Sequence, residues 1–354
     1  MSRKSVAIAG LAVLTLGGFA AGLGGWMIFG PNTPDYTGTR TVTLPEPTAD
    51  SLNAVIDALT SAGILASPTS FRLVAQGTGW GTQIKSGHYA FESGTSTYRL
   101  LDVLRRGLQT PVRLTIPPGS RPRVVAAVAA SRLRLSADDV LSALRDTSLA
   151  QSLGVEPGSL FGYLLPETYE FYWQAPPERV LRRIKHAFDR FYERELAAPA
   201  DSLDLSKHEA VTLASIVEWE ALLDDEKPAI AGVYLNRLDR GWKLEADPTI
   251  QYVLIDSLGE RVRRVLYKHL EIDHPYNTYR IPGLPPGPIT NPAPSTLRAA
   301  VRPARHDYMY FAADGTGGHT FSRTLREHNR AAQKYHDLLD ERRRERQQRS
   351  EDPN

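Results

Sequence analysis

The sequence predicts an α+β protein made of an N-terminal transmembrane helix, a small βαβ module and a mixed α/β C-terminal domain. Three observations lead to this fold class. Residues 6–29 form an uncharged, largely apolar run. Between residues 41 and 115, alternating segments typical of strands are separated by segments with helical spacing of apolar residues, and helical spacing returns after Ser206. A chain of 354 residues is long enough to build more than one domain from such elements.

The apolar run predicts a membrane anchor. As a helix, Val6 to Phe29 would be roughly 36 Å long, enough to cross the hydrocarbon core of a bilayer. Arg3 and Lys4 precede the run and Trp26 lies near its far end, so the positive-inside rule puts the N-terminus in the cytoplasm. A cleaved signal peptide is the alternative, but the apolar run continues past the length that such a peptide needs. In both cases we expect the rest of the chain to work outside the cytoplasmic membrane.

The next segment is expected to form a compact module of alternating strands and helices. The strands are TVTL at 41–44, GHYAF at 87–91 and PVRLTI at 111–116, with helices at 50–59 and 96–108. The module is about the size of a LysM domain, and no glycine-rich loop opens its helices, which excludes a Rossmann unit.

The predicted boundaries are a cytoplasmic N-terminus 1–4, an anchor 5–30, a linker 31–40, the LysM-like module 41–118, a helical connecting region 119–205, the C-terminal domain 206–340 and a charged tail 341–354.

The composition excludes several classes of function. There are 42 Lys+Arg and 40 Asp+Glu, and the basic cluster lies in the tail after Glu341, so no nucleic-acid partner is expected. The absence of cysteine excludes disulfides and thiol nucleophiles. Nine scattered histidines show no H-E-x-x-H spacing, and no Walker loop or G-x-S-x-G motif occurs. We therefore expect neither a metal nor another cofactor.

A buried helix is predicted to begin at Ser206, where Ser-Lys-His-Glu209 is a capping box. Side chains three and four positions from Glu218 are small or apolar, whereas those around Glu220 include Asp224. A carboxyl group in apolar surroundings loses the hydration of its charged form, which favours general-acid chemistry. The pattern therefore points to Glu218 as the catalytic residue, with Glu220 supporting it.

The alternative for Glu218 is structural. The helix that follows carries Arg237 and ends near Arg240, and a buried glutamate often pairs with such a cation. From this helix alone the two interpretations have about equal weight.

Polar and aromatic side chains beyond the glutamates are typical of a carbohydrate cleft. Amides and hydroxyls bind sugar hydroxyl groups, and tyrosine rings pack on the C–H faces of pyranoses. Each of these residues, taken singly, is more often a turn or cap residue. The candidates for substrate binding are Asn236, Asp247, Thr249, Gln251, Asn277, Thr278 and Tyr279.

Four motifs, in this order, resemble the YceG-like (MltG) family of endolytic murein transglycosylases. They are ASIVEWE at 214–220, ADPTIQ at 246–251, YNTY with GLPPG between 276 and 287, and YFAADGTGGHTF at 310–321. The resemblance implies a YceG-like catalytic domain at 206–340 and makes Glu218, the first glutamate of the first motif, the catalytic residue. Two positions depart from the family pattern. Trp219 replaces a frequent lysine, and Phe161 stands where an acidic residue is usual.

The resemblance implies an endolytic lytic transglycosylase. Such an enzyme cleaves the MurNAc–GlcNAc bond of nascent peptidoglycan strands, leaves 1,6-anhydro-MurNAc ends and terminates strand elongation. Ordinary glycosidases need two carboxyl groups, but here the C6 hydroxyl of MurNAc is the nucleophile, so one glutamate can suffice. The alternatives are a hydrolytic muramidase, which leaves reducing ends, and a non-catalytic peptidoglycan-binding scaffold of a cell-wall synthesis complex.

The same resemblance implies where the protein works and with what. The expected partners are peptidoglycan strands and the peptidoglycan synthases (penicillin-binding proteins) of the membrane. The expected location is the bacterial cytoplasmic (inner) membrane, crossed once, with the N-terminus in the cytoplasm and the catalytic domain outside.

Overall fold

The structure, a computed structural model, describes residues 3–44, 46, 51–259, 262 and 264–351, without the helical side chains of 3–14, 16, 51, 343 and 345–351. It is a mixed α+β fold in which helices dominate and the strands form small sheets. In chain order its elements are α1 Arg3–Phe29, β1 Thr39–Leu44, α2 Ser51–Ser61, α3 Pro68–Gly77, β2 Gly87–Glu92, α4 Thr97–Arg106, β3 Val112–Thr115, α5 Pro122–Arg132, α6 Ala137–Arg145, α7 Thr147–Ser152, β4 Thr168–Phe171, α8 Pro177–Glu195, α9 Ala197–Asp201, α10 Lys207–Glu220, α11 Lys227–Asp239, α12 Asp247–Leu258, α13 Tyr267–Leu270, α14 Pro294–Val301, β5 Tyr310–Ala313, β6 His319–Ser322 and α15 Leu325–Glu351.

The expectation of a transmembrane helix is wrong for the residues that the structure describes, since none of their helices is long and apolar enough to cross a membrane. The α1 helix has several glycines among its described residues 17–29, and these add no apolar side chain. Its end also packs on protein, with Ile28 against a hydrophobic core and the Phe29 ring 5.6 Å from that of Tyr98.

The chain divides into two compact units. The first comprises the residues up to Arg113 together with 132–134 and 170–175. Its sheet pairs β1 with β2 in antiparallel register, with Leu44 opposite Gly87. The core beneath contains Leu59, Ile64, Phe71, Tyr89, Leu100 and Leu104. The predicted domain boundaries, which were drawn along the chain, stay predictions.

The prediction of a LysM-like βαβ module is wrong in the direction and in the pairing of its strands. Two helices, α2 and α3, lie between β1 and β2, and the strands are antiparallel, whereas a βαβ unit joins parallel strands. The third expected strand, β3, pairs with β4 rather than joining this sheet. Alternation of side chains identifies a strand but carries no information about its partner or direction. The overlooked helix α3 begins at Ser67-Pro68, a recognisable start signal.

In the second unit, α10 packs against α11, α12 and α14. The predicted start of α10 is confirmed: the Ser206 hydroxyl accepts from the Glu209 N–H at 3.2 Å, and the Glu209 carboxylate accepts from the Ser206 N–H at 2.9 Å. Val211, Leu213 and Ile216 are fully buried, as the apolar pattern predicts. The helix ends at Glu220 because Ala221 adopts an extended backbone. Both glutamates therefore lie in the last turn.

Candidate active site

The carboxylate of Glu218 meets two other elements of the second unit. Its Oε2 atom accepts a hydrogen bond from the backbone N–H of Ala293 at 3.0 Å and another from the hydroxyl of Thr296. The ammonium group of Lys227, at the start of α11, lies 3.6 Å from the same oxygen. Ala293 is the N-cap residue of α14, and the free N–H groups at a helix N-terminus favour a negative charge. The fold therefore anchors this carboxylate by Oε2.

The second oxygen of Glu218 is free of such contacts. Among the described residues none donates a hydrogen bond to Oε1, and the side chain retains 10% exposure. A carboxylate held through one oxygen has a fixed orientation and can present the other to a ligand. Such a group meets the geometric requirement for an acid/base residue.

These contacts correct the sequence argument about the surroundings of Glu218. The predicted apolar environment is wrong, because polar groups from α11 and α14 reach the carboxylate. The nearby cation is Lys227, whose buried side chain also lies 2.6 Å from the carboxylate of Asp224. Arg237, one of the arginines considered as a structural partner, pairs with Glu245 at 3.3 Å instead. Periodicity along one helix could not reveal neighbours contributed by two others.

The two departures from the family motif have structural explanations. The indole N–H of Trp219 donates to the carbonyl of Gly119 at 3.0 Å. Gly119 has a φ of 66°, and a Cβ at that position would lie 3.5 Å from the Trp219 indole nitrogen. The Trp219 side chain therefore holds the turn at 117–120 close to Glu218 by this hydrogen bond. Phe161 is 4% exposed and belongs to the core of the second unit, where an apolar ring is a natural occupant.

The surroundings of Glu220 disfavour the charged form of its carboxyl group. Burial, and then the negative charge of Asp247, raise the pKa of the Glu220 carboxyl to about 7. A hydrogen bond from the Tyr234 hydroxyl, at 3.2 Å, and the charge of Arg237 oppose this shift. Glu220 is thus partly protonated near neutral pH, unlike an ordinary surface glutamate.

Glu220 also lines the large cavity of this unit. That cavity has a volume of about 1430 Å³, and Trp219, Asp247 and Gln251 line it as well. A second cavity of about 390 Å³ is lined by Glu220, Asp247 and Tyr279, among others. The carboxyl of Glu220 therefore faces space in which a ligand can be accommodated.

Three of the predicted substrate-binding residues lie around these cavities. The Tyr279 hydroxyl donates to Asp247 at 2.7 Å, and burial, followed by the Asp247 charge, raises the pKa of Tyr279, so the phenol keeps its proton. Gln251 is 8% exposed and its amide nitrogen donates to the carbonyl of Val262 at 2.9 Å. Its Oε1 atom is buried and has no hydrogen-bond partner among the described residues. The structure therefore brings Asp247, Gln251 and Tyr279 close to Glu220.

The other four candidates support loops. Asn236 donates to the carbonyls of His306 and Tyr308, both at 2.9 Å. Asn277 donates to the carbonyls that precede its turn, at 3.0 and 2.7 Å. Thr249 and Thr278 are fully buried and share a hydrogen bond of 2.8 Å. Their observed bonds are those of scaffold residues, and a contact of these four with substrate stays a prediction.

Sequence reasoning missed several residues of the site. Lys227 follows an acidic run that resembles a solvated surface, and nothing in that pattern indicates a buried ammonium. Pro294 marks the start of the helix that carries Thr296, so the helix itself could have been predicted. The sequence gives no sign that the Thr296 side chain points toward Glu218. Asn291 is fully buried and binds the turn at 117–120, far away in sequence. Within the described residues no group of three or more His, Asp or Glu could hold a metal ion.

Known proteins of one family are similar to this chain over most of its length. The model of the YceG-like family matches residues 46–334. The endolytic murein transglycosylase of Bacillus subtilis (strain 168) is 32% identical over 313 residues, covering 83% of this chain and 85% of that protein. That of Streptococcus pneumoniae (strain D39) is 28% identical over 340 residues, covering 88% of this chain and 61% of its own length. A crystal structure of a YceG-like protein from Listeria monocytogenes aligns with a TM-score of 0.58 and 29% identity, over 83% of this chain and 99% of that one. With most of its length matched in this way, the chain belongs to the YceG-like family.

Proposed function

We propose that this protein cleaves the MurNAc–GlcNAc bond inside nascent peptidoglycan strands, leaves 1,6-anhydro-MurNAc ends and so terminates strand elongation. It is a lytic transglycosylase acting on peptidoglycan, a reaction class supported by the names of its relatives and by its family. The supporting observation in the site is the carboxylate of Glu218, anchored through Oε2 with Oε1 unbonded among the described residues.

In the proposed reaction Glu218 acts twice. First its protonated carboxyl gives the proton to the glycosidic oxygen while the bond from that oxygen to C1 of MurNAc breaks. The resulting carboxylate then removes the proton of the MurNAc C6 hydroxyl as O6 bonds to C1, which closes the 1,6-anhydro ring. No water is consumed and Glu218 ends protonated, as it began. Between the two steps Lys227, Thr296 and the Ala293 amide stabilise the negative charge.

The location and partners follow from the substrate. Peptidoglycan lies outside the cytoplasmic membrane, so we place the catalytic residues there. Strands are cut as they are made, which makes the membrane's peptidoglycan synthases (penicillin-binding proteins) the proposed protein partners.

The substitution Glu218→Gln tests the catalytic assignment. Glutamine preserves the size of the side chain but cannot transfer the proton, so we expect release of anhydromuropeptides from purified strands to fall by a factor of at least about 1,000. Mass spectrometry of the products distinguishes anhydro ends from the reducing ends of a hydrolytic muramidase.

A parallel Glu220→Gln variant is the matched comparison. Full release by Glu218→Gln together with loss in Glu220→Gln would transfer the acid/base role to Glu220. Binding to strands without any release by the wild-type protein would favour the scaffold interpretation.

A further inference from the structure

Three polar side chains of the 1430 Å³ cavity have no role in the proton transfers assigned to Glu218. Glu220, Asp247 and Gln251 all line this cavity. Gln251 is 8% exposed, and its Oε1 atom is an acceptor without a hydrogen-bond partner among the described residues. Gln251 thus lines the cavity while its own Oε1 is buried, and a buried amide oxygen without a partner is costly unless a donor reaches it when a ligand binds.

We propose that Glu220, Asp247 and Gln251 form a glycan-binding subsite in this cavity, in which Glu220 donates a hydrogen bond to an acceptor oxygen of the sugar. Gln251 Oε1 then accepts from a sugar hydroxyl or amide N–H, and the Asp247 carboxylate accepts from a second hydroxyl. The proposal rests on the proposed action on peptidoglycan, whose N-acetylated sugars carry donors and acceptors of both kinds.

The position of Glu220 explains why it can act as a donor. A protonated carboxyl has one O–H donor, whereas a carboxylate can only accept. Burial and the neighbouring Asp247 charge raise the pKa of Glu220 to about 7, so the donor form is populated up to neutral pH. Its hydrogen bond with the Tyr234 hydroxyl involves Oε2, at 3.2 Å. No described residue is seen to bond to Oε1, which is available for the sugar.

The charged and titratable groups around Glu220 determine the form of the pH dependence. Tyr234 and Arg237 face it from α11 and Asp247 from α12, and these groups contribute to its pKa. The cavity also contains groups from α13, α15 and the segment before α13. They are Arg264, Lys268, Tyr267, Tyr335, His336 and Asp340. His336 is the member of this set that a control must exclude, because an ordinary histidine titrates in the same range.

The test measures binding of a peptide-free peptidoglycan tetrasaccharide by calorimetry between pH 6 and 8.5, in the Glu218→Gln background. If the ionised form of Glu220 does not bind, the Kd should rise about 30-fold over this range, from the pKa of about 7. With Glu220→Gln added, the Kd should be nearly constant, because the glutamine amide donates at every pH. Tyr234→Phe removes a bond that favours the carboxylate, so the weakening should move to higher pH.

Two further variants complete the design. Gln251→Leu should weaken binding about tenfold at every pH and leave the shape of the curve unchanged, since it removes the unpaired acceptor. His336→Gln should keep the wild-type pH dependence.

Three results would overturn the subsite: a flat Kd with Glu220 intact, a pH dependence that survives Glu220→Gln, or one that disappears in His336→Gln. Anhydro products in the Glu218→Gln samples would contradict the proposed catalytic role of Glu218. In that case the Kd at each pH could still be obtained from the tetrasaccharide that remains uncleaved. Failure of the catalytic assignment to Glu218 and failure of the subsite are therefore distinguishable.

Discussion

At Glu218 and Glu220, two positions apart on one helix, the structure gives two carboxyl groups opposite environments. Glu218 accepts hydrogen bonds from a hydroxyl and a backbone N–H and lies beside a buried ammonium. Glu220 is half-buried near the carboxylate of Asp247, and its hydrogen-bond partner among the described residues is the Tyr234 hydroxyl. The difference arises because successive helix residues point to different faces, and different elements cover those faces.

This residue-scale contrast predicts a pH effect on stability. The folded-state pKa of Glu220, about 7, exceeds its ordinary value of 4.5. The native state therefore binds more protons than the unfolded state between these pH values, and the free energy of unfolding should fall as pH rises from about 4.5 to 7, by up to about 3 kcal/mol. Glu220→Gln should remove this loss, as measured by urea denaturation at pH 5 and 8.

The control for this prediction is Glu170→Gln, which changes an exposed glutamate on β4. It should keep the wild-type difference between the two pH values. An equal fall in stability in Glu220→Gln and wild type would show that Glu220 is not the group responsible.

At the scale of elements, α10 positions the site by its length and by its two ends. Its N-terminus is closed by the Ser206–Glu209 capping box, and its last turn carries both glutamates. The last turn is held from outside by α11 and α14 rather than by its own cap. The two ends should therefore be energetically separable.

Ser206→Ala tests this separation. Loss of the N-cap acceptor should lower the free energy of unfolding by about 1 kcal/mol, measured by urea denaturation. Transglycosylase activity should be unchanged, because Glu218 lies roughly 18 Å further along the helix. Ser136→Ala, in the equivalent capping box of α6, is the matched control and should cost a similar amount. A tenfold loss of activity in Ser206→Ala alone would mean that the helix transmits the change to Glu218.

At the scale of the whole second unit, Asn291 joins segments that lie far apart in sequence. Its side-chain amide donates to the carbonyls of Pro117 and Leu164, at 3.1 and 3.0 Å, and its Oδ1 accepts from the Ser120 N–H at 2.6 Å. The turn at 117–120, in turn, bonds to Trp219 beside Glu218. One buried amide thus links the site to the residues that enclose it.

Asn291→Ala should therefore affect both stability and activity. It leaves the Ser120 N–H and the Leu164 carbonyl without the partner seen in the structure, whereas the Pro117 carbonyl keeps the Ser120 hydroxyl, and this should cost roughly 2–4 kcal/mol of unfolding free energy. Activity of the folded protein should also fall, because the turn beside Trp219 is no longer fixed. Asn277→Ala removes a similarly buried amide in another loop and serves as the control for stability. Wild-type stability and activity in Asn291→Ala would contradict this role.

Several features of this protein were accessible from its sequence because they depend on residues that are close along the chain. The capping box at Ser206, the buried face of α10 and the family motifs are local patterns, and they led to the reaction class and to the two glutamates. The failures concern pairing. Alternation placed strands near 41–44, 87–91 and 111–116, but the antiparallel β1–β2 pair and the separate partner of β3 could not be read from it.

The division between Glu218 and Glu220 was decided by tertiary structure. Helical spacing selected Glu218, yet the reason it offered, an apolar environment, is wrong, because Lys227 and Thr296 come from other helices. The same applies to Gln251, whose amide oxygen is buried without a hydrogen-bond partner among the described residues, a property that depends on neighbours from other segments. Sequence by itself determined which helix carries the carboxyl groups, since amphipathic periodicity and capping are short-range. Only the packing of α10, α11, α12 and α14 determined the charge and partners of each group, because solvation and electrostatic interactions depend on neighbours in space.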